Sequence, residues 1–528
     1  MQVAALSKFW VDCGQGDDTA GGTAASPFAT LRRARDAARS ASAPCTTIMV
    51  VGGGTCRSWL QQGASSPQLQ NASLELDARD SHCEWQSVGS AHTVLSGGVP
   101  AHAADWKPLT AAQRQLFKPA AAAHVVSLDL AGVVDNIGRL KGLSYSGGDA
   151  CIETQFFEES GLELVHAPNS FTGASGRKLH MARFPDLIEP PVPSNWLDYH
   201  DPDNTNLTIT VAASARQKAA WAAQVKGGGQ VFTHGLWTFN WADSHRRVVT
   251  VTAASDGGVR LGLQQHGDFT DRDCKLTAAA AGQQGGHVYI YNAHYELDQP
   301  GEYTIDHNTR TLYFLPPTGS VLDEFELSVA TSLLHVHGAS NISFNGFDFR
   351  AARGAGIVIV NSSDITIADG AVSDTGMATL NITGGARCGA HNMTLVRGGT
   401  GGAVLAGGDR QTLEQSSHFI RGSIVRDCNR WVMNYAPLVL MAGVGQLVNN
   451  SVLSDAPQMA VFVQGNLHHL INSQVHDVVQ QCNDVSAQLL LGSSPFGHGT
   501  TGKPLVPFVH STVAVAVWGV LLWEGFYL

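Results

Sequence analysis

Short apolar segments recur along residues 330–490, and polar turn residues separate them. They lie at 342–344, 365–367, 393–395, 418–420, 447–448 and 470–471, so equivalent positions are between 23 and about 28 residues apart. A repeat of this length with two or three short strands is typical of a parallel β-helix, in which each coil buries its apolar side against its neighbours. The pattern therefore predicts an all-β stack of coils rather than a leucine-rich repeat, whose leucine framework the sequence lacks.

Four of the coils also carry a second strand that ends in aspartate, at Asp374, Asp427, Asp455 and Asp477. Aspartate is common in turns because its side chain bonds to the nearby main chain, and this interpretation covers all four residues. Asp455 and Asp477 lie one coil apart, and strands about 4.8 Å apart would bring their carboxyl groups together. They are therefore also candidates for a catalytic pair.

Residues 1–109 predict an N-terminal cap and the first coils. Ser26 and Pro27 form a helix-start signal, and Phe28, Leu31 and Ala34 fall on one face of the helix that follows. A buried strand is expected at 46–51. The short helix is expected to cap the open end of the stack.

Residues 110–325 do not repeat. Aromatic-rich strands at 233–241 and 288–291 are followed by a hairpin around 306–310, which predicts an inserted antiparallel β domain. The main parallel stack is then expected over 326–491, and 492–528 is an atypical hydrophobic tail. From Leu505 to Trp523 that tail has no formally charged residue, which is close to a membrane-spanning length. Pro507 and His510 interrupt this stretch. Two alternatives therefore stay open, a membrane tail anchor and a truncated or mispredicted chain end.

Charge excludes one class of partner. Charged residues make up 15% of the chain and the net charge is −11, with lysine and arginine scattered. A nucleic-acid-binding protein needs a basic stripe, so we expect no nucleic-acid partner. His468, His469 and His476 lack the spacing of metal ligands, and we expect neither a metal nor another cofactor.

Cysteines and sequons bear on the compartment. The nine cysteines are dispersed, and Cys45 with Cys56, or Cys13 with Cys83, are the pairs expected in an oxidising compartment. Seven N-x-S/T sequons favour a secreted or cell-wall glycoprotein, although asparagine, serine and threonine also crowd the turns of stacked coils. The N-terminus has no signal-peptide h-region.

Several motifs together resemble a known family. They are PFATLRRARD at 27–36, VLSGG at 94–98, ARFPD at 182–186, NAHYELDQPGE at 292–302, TLYFLPP at 311–317, GGDR at 407–410, GN at 465–466 and HD at 476–477. In these the chain resembles bacterial right-handed parallel β-helix proteins of the pectate-lyase-like superfamily, related to glycoside hydrolase families 141 and 120. The resemblance implies a right-handed β-helix interrupted by an antiparallel β-sandwich, and hydrolysis of glycosidic bonds by paired carboxylates.

The same resemblance implies a catalytic aspartate at Asp484, within the stretch 480–487. Ser486, Gln474 and Gln458 depart from the family pattern there. With Asp477 and Asp455, Asp484 completes the candidate catalytic set. The candidate substrate-binding residues are Asp409, Arg410, Trp431, Tyr435, Asn466, His468 and His476.

We therefore expect a monomeric, extracellular, glycoside hydrolase-like protein that acts on a cell-wall or extracellular polysaccharide. The departures from the family pattern favour a second hypothesis, a non-catalytic glycan-binding or structural wall protein. A polysaccharide lyase or epimerase is a third, but such chemistry uses a Lys or Arg base, and no lysine lies between Lys275 and Lys503. Arg387, Arg397 or Arg410 would then have to act as the base.

Overall fold

The computed structural model describes residues 7–40, 46–51, 54–57, 73–131, 162–167, 178–187, 195–240, 243–264, 275–279, 285–481, 488–491 and 513–516. About half of these residues form strands, and the largest sheet contains 22 strands, all paired in parallel. The prediction of a mostly β chain with a large parallel sheet is confirmed.

The elements before the insertion are six strands and one helix. They are β1 (Ser7–Val11), α1 (Leu31–Ser40), β2 (Thr46–Val51), β3 (Thr55–Arg57), β4 (Leu74–Leu76), β5 (Glu84–Val88) and β6 (Thr93–Ser96).

The inserted elements are mostly antiparallel. They are β7 (Gly98–Ala101), β8 (Lys107–Pro108), α2 (Ala111–Arg114), α3 (Pro119–Ala122), β9 (Val126–Asp129), β10 (Leu164–His166), β11 (His180–Met181), β12 (Arg183–Phe184), β13 (Leu197–Asp203), β14 (Thr208–Val211), α4 (Ala215–Lys226), β15 (Phe232–Leu236), β16 (Asp243–Ala253), β17 (Val259–Leu263), β18 (His287–Tyr291), β19 (Glu302–Asp306), β20 (Thr311–Phe314) and β21 (Phe325–Ser328).

The remaining strands return to the parallel sheet. They are β22 (Leu334–His337), β23 (Ser340–Asn345), β24 (Phe347–Ala352), β25 (Ile357–Thr375), β26 (Leu380–Ala386), β27 (Gly389–Gly398), β28 (Ala403–Gly407), β29 (Phe419–Arg421), β30 (Ile424–Arg426), β31 (Val439–Val444), β32 (Leu447–Asn449), β33 (Val452–Ser454), β34 (Val461–Asn466), β35 (His469–His476), β36 (Gln488–Leu491) and β37 (Val513–Ala516).

The parallel strands form three ladders, because each strand pairs with the equivalent strand of the next coil. The first ladder runs β4, β22, β25, β26, β28, β31, β34, β36. The second runs β1, β2, β5, β23, β25, β27, β29, β32, β35. The third runs β3, β6, β24, β25, β27, β30, β33, β35.

Asparagine and aspartate make the bends between ladders. β25 crosses all three ladders and bends where Asn361 and Asp369 adopt left-handed backbone, with φ of 47° and 54°. These residue types tolerate that conformation better than other side chains do. Three straight stretches per coil follow from this placement, which explains why the strands are short.

The interior of the ladders is apolar. Its fully buried side chains include Trp85, Phe344, Ile367 and Leu405, and the stacked rings of Trp85 and Phe344 lie 5.2 Å apart. Equivalent positions of successive coils therefore bury each other, which makes the coils interdependent.

The N-terminal helix begins later than the sequence predicts. Phe28 forms a bridge to Val11 instead of a helical turn, and α1 starts at Leu31. Thr30 caps the helix by accepting a hydrogen bond at 3.1 Å from the main-chain N–H of Arg33. The start signal at Ser26 is overridden because Phe28 packs into the core.

The insertion contains a closed set of strands. β18, β13, β14, β17, β16 and β15 pair in that order, and β15 pairs back with β18. β13 and β16 each pair with different neighbours along their two halves. These strands pair antiparallel and the sheet closes on itself, with Trp221 of α4 in its core, whereas the resemblance implied a β-sandwich.

A buried charge cluster joins the insertion to the ladders. Glu326 on β21 forms ion pairs at 3.0 Å with Arg57 and 3.2 Å with Arg350, and it accepts a hydrogen bond from Ser96 at 2.5 Å. Burial would raise the pKa of Glu326, but the two guanidinium groups outweigh it and lower the pKa to about 2.

The disulfide differs from both predicted pairings. Cys13 and Cys56 are bonded, with their Cα atoms 5.1 Å apart. Cys13 follows β1 and Cys56 lies in β3, so stacking of the first coils brings together two residues that sequence spacing does not relate. Cys45 lies outside the described residues. Within the described part of the chain, no helix is long and apolar enough to cross a membrane.

Candidate functional site

A cavity of about 330 Å³ lies where the third ladder meets the insertion. On the ladder side its wall consists of the turns that follow β30 and β33 and the segment 480–481. On the insertion side it consists of residues around β11, β12, β18 and β19. The polar and aromatic residues of the lining include Lys178, Arg183, Tyr289, Tyr291, Arg426, Asp427, Arg430, Trp431 and Asp455.

Two aspartates of consecutive coils line this cavity. Arg426 and Ser454 are paired neighbours in the third ladder, and Asp427 and Asp455 directly follow them. Both aspartates have left-handed backbone, with φ of 50° and 58°. Their equivalence in the stack places them about one strand spacing, roughly 4.8 Å, apart along the ladder.

The two carboxylates have different partners. Lys178 approaches Asp427 from the insertion, with Nζ 2.7 Å from Oδ1. Ser454 donates a hydrogen bond to Oδ2 of Asp455 at 2.8 Å. Among the described residues, one carboxylate therefore has an ammonium counter-ion and the other a neutral hydroxyl donor.

Glu163 anchors the ladder wall of the cavity. Its carboxylate accepts hydrogen bonds from Arg430 at 3.0 and 2.9 Å and a short one from Nε1 of Trp431. Arg430 also donates to the main-chain oxygen of Thr375 at 2.8 Å. Bidentate pairing of this kind fixes geometry as well as charge, so the Trp431 ring is held in one orientation.

Behind the cavity lies a buried histidine network. His234 contacts the Tyr289 hydroxyl at 2.7 Å through Nδ1 and Asp243 at 2.6 Å through Nε2. His245 contacts the Tyr291 hydroxyl at 2.9 Å and the main-chain oxygen of Trp431 at 2.6 Å. Tyr289 and Tyr291 line the cavity, so the network extends to the cavity through these two side chains.

The protonation of the network follows from burial. Burial lowers the pKa of His245 well below its ordinary value, so this ring is neutral. Its Nε2 donates to the carbonyl of Trp431, and its Nδ1 is left to accept from the Tyr291 hydroxyl. The hydroxyl oxygen of Tyr291 then offers only acceptor lone pairs to a ligand.

The predicted site residues fall at two different corners of the coils. Asp455 and Trp431 line the cavity. Asp477 and His476 lie at the same corner one coil further on, where they bond to each other at 2.7 Å, and the Asp477 side chain is 64% exposed. Tyr435 follows Trp431 in the same turn, and its main-chain N–H donates to Gln458.

The other predicted residues lie between the first and second ladders. Arg410 donates to Asn466 at 3.4 Å, and Asp409 accepts from the main-chain N–H of Gln411 at 2.7 Å. All three are outside the lining of the cavity. The site residues predicted from the sequence are therefore divided between two corners.

His468 has an interior position that the sequence did not indicate. It is 2% exposed, and its Nδ1 accepts a hydrogen bond at 3.1 Å from the main-chain N–H of Gln446. Gln446 in turn accepts from the main-chain N–H of His418 at 3.1 Å. Burial lowers the pKa of His468 to about 4. The interior position favours a structural role for His468, and its assignment as a substrate-binding residue stays a prediction.

Asp484 lies outside the described residues, so its assignment stays a prediction. From the sequence, Asp427 is expected only as a turn residue, and Lys178, Arg183, Tyr289 and Tyr291 are not among the predicted site residues. The aspartate that recurs at the end of the second strands is a sequence signal for Asp427. Arg183 lies in the ARFPD motif and Tyr289 and Tyr291 lie in an aromatic-rich strand, but nothing in the sequence relates them to the ladder, because that distance is set by tertiary packing. Within the described ranges, no group of three or more His, Cys, Asp or Glu side chains is arranged to hold a metal.

Comparison with known proteins supports the fold. No protein-family model matches the sequence, and no curated protein does. Among solved structures, a chain titled "Glycoside hydrolase" superposes with a TM-score of 0.65 at 15% identity, over 92% of this chain and 85% of that one. The chain has a glycoside hydrolase-like fold. A complex titled "The complex structure of XylC with xylose" matches with a TM-score of 0.39 at 10% identity, over 89% of this chain and 63% of that one.

Proposed function

We propose that this protein is a glycoside hydrolase built on a right-handed parallel β-helix capped by α1, and that its active site is the cavity beside the insertion. The observation that carries the proposal is the pair Asp427 and Asp455 in the cavity lining, one coil apart. Glycoside hydrolysis requires two carboxyl groups that flank the scissile bond. The glycoside hydrolase-like fold supports the same reaction class.

In the proposed reaction, Asp427 is the nucleophile and Asp455 the acid. The carboxylate of Asp427, held by Lys178, attacks the anomeric carbon as Asp455 transfers its proton to the glycosidic oxygen of the leaving sugar. The C–O bond to the leaving group breaks and an ester to Asp427 forms. Water, deprotonated by Asp455, then hydrolyses that ester and returns both carboxyls to their starting states.

The cavity also has the means to hold a sugar. Trp431 presents an aromatic ring whose orientation Glu163 fixes, and such rings pack against apolar faces. The Tyr291 hydroxyl accepts hydrogen bonds from sugar hydroxyls. We propose a polysaccharide of the cell wall or extracellular space as the substrate and a secreted monomer as the working form. The Cys13–Cys56 disulfide supports an oxidising compartment.

The experiment is reducing-sugar release from a panel of cell-wall polysaccharides and aryl glycosides. We expect the wild-type chain to release sugar and the variants Asp427→Asn and Asp455→Asn to lose at least about a hundredfold in kcat, in keeping with the usual contribution of a general acid or base. Asp477→Asn is the matched control, because it occupies the same turn position one coil away and is exposed. It should retain wild-type activity.

Other outcomes have distinct meanings. If Asp484→Asn abolishes activity and Asp427→Asn does not, the catalytic pair includes the residue that the family resemblance indicates. If no substrate is hydrolysed but oligosaccharides bind, the protein is a glycan-binding relative of these enzymes. If Asp427→Asn and Asp455→Asn both keep wild-type activity, the cavity is not the active site.

A further inference from the structure

Arg183 brings a buried positive charge to the cavity. It is 6% exposed, and it donates through Nε to the main-chain oxygen of Pro185 at 2.9 Å and through Nη2 to that of Asn195 at 2.7 Å. Its guanidinium carbon lies 3.6 Å from the ring centroid of Tyr289. These hydrogen-bond partners orient the guanidinium but carry no full negative charge. Burial lowers the pKa of Arg183, and the nearby carboxylates of Glu302 and Asp186 only partly oppose that effect.

Arg426 brings a second positive charge to the same cavity. It is half-buried at the end of β30, and its main chain pairs with Val396 and Ser454. Among the residues described, its guanidinium forms neither an ion pair nor a hydrogen bond with a carboxylate. A partly desolvated cation without a counter-charge is unfavourable, and a bound anion would relieve that cost.

The other cations of the lining are already neutralised. Lys178 pairs with Asp427 at 2.7 Å, and Arg430 pairs with Glu163 at 2.9 Å. In the described part of the lining, the charged side chains outside these two ion pairs are the cations Arg183 and Arg426 and the carboxylate Asp455. The described lining therefore has a small excess of positive charge, partly offset by Glu302 and Asp186 near Arg183, although the whole chain carries a net charge of −11.

We propose that the cavity selects an acidic sugar, a uronic acid residue whose carboxylate is bound by Arg183 and Arg426. This rests on the proposed function, since it names the substrate class of the same site. The planar guanidinium matches a carboxylate through two parallel hydrogen bonds. The aromatic face of Trp431 and the acceptor oxygen of Tyr291 bind the neutral part of the sugar.

The test is calorimetric titration of the full chain with matched sugars that differ in one group. D-glucuronic acid is compared with D-glucose, D-galacturonic acid with D-galactose, and D-galactose 6-sulfate is included to separate a carboxylate from a sulfate ester. We expect each uronic acid to bind at least about tenfold more tightly than its neutral counterpart, as a charge-assisted hydrogen bond allows. The preference should shrink as salt is raised.

Arg426→Gln supplies the residue-level test, and Arg421→Gln is its control. Arg421 is exposed on the second ladder, with its guanidinium over Phe419 at 4.5 Å. Arg426→Gln should abolish the preference for uronic acids, whereas Arg421→Gln should leave that preference intact. Thermal unfolding of both variants establishes that they fold.

Equal binding of acidic and neutral sugars overturns the inference, as does a preference that Arg426→Gln leaves intact. If the sulfate ester binds more tightly than either uronic acid, the preferred ligand is a sulfated sugar and the carboxylate proposal is wrong. Failure of the proposed function looks different. In that case uronic acids bind with the predicted preference, but no polysaccharide is hydrolysed by the wild-type chain.

Discussion

Asp427 and Asp455 occupy equivalent positions in consecutive coils, because each directly follows one member of the paired residues Arg426 and Ser454. The same column continues to Asp477, which follows His476, the partner of Ser454 in the next coil. One strand spacing thus separates each member of the column from the next. The insertion covers the first two positions and leaves the third exposed, and this cover singles out one pair among equivalent turn residues.

The stereochemistry of hydrolysis follows from that spacing. Carboxyl groups one strand apart, about 4.8 Å, are nearer to the roughly 5–5.5 Å of retaining enzymes than to the 6.5–9.5 Å or so of inverting ones. We expect the first product to keep the anomeric configuration of the substrate. Proton NMR of the reaction within the first minutes measures it. An inverted product would indicate carboxyls two coils apart, as Asp427 and Asp477 are.

Glu326 makes stability depend on pH. Its pKa is about 2 in the folded protein against an ordinary value of 4.5, so its contribution is complete above pH 4.5 and is lost as the pH falls towards 2. Glu326→Gln leaves Arg57 and Arg350 without their buried counter-charge and should lower the free energy of unfolding by about 3–5 kcal/mol at neutral pH.

Chemical denaturation between pH 7 and pH 2.5 measures this effect, with Glu324→Gln as a control on a partly exposed neighbouring carboxylate. The difference between wild type and Glu326→Gln should shrink as the pH falls. A difference that is constant over this range would contradict the assigned pKa.

The Cys13–Cys56 disulfide should stabilise the first coils. The bond closes a loop between residues 43 positions apart, and its loss typically costs about 2–4 kcal/mol. We expect a reductant to lower the Tm of the wild type and to leave that of the double variant Cys13→Ser with Cys56→Ser unchanged. A Tm of the double variant that still falls on reduction would mean that another disulfide holds the fold.

His468 should matter for stability rather than for glycan binding. Replacing it by alanine removes the acceptor of the buried Gln446 N–H, and an unsatisfied buried donor costs about 1–3 kcal/mol. His468→Ala is expected to lower the Tm while the affinity for oligosaccharides stays the same. His476→Ala, at a partly exposed position, should change the Tm little. Weaker sugar binding by folded His468→Ala would restore the substrate-binding role predicted from sequence.

Sequence alone was sufficient for the coil repeat and its turns. Recurring segments such as 342–344 and 365–367 pair with each other in the structure as their spacing predicts. The aspartates that end the second strands adopt left-handed backbone at Asp374, Asp427 and Asp455. These features depend on local turn preferences or on pairing with the neighbouring coil. Both are visible in the sequence as residues that recur once per coil.

The site was decided by tertiary structure. The insertion brings Lys178 to Asp427 across 249 residues of sequence, and Glu163 to Trp431 across 268. The disulfide and the interior position of His468 likewise depend on which coils stack and in what register. Periodicity specifies the position of a residue within its coil, but the surface that an insertion covers depends on packing between segments whose separation in sequence carries no period. That packing distinguishes Asp427 and Asp455 from the identical turn residue Asp477.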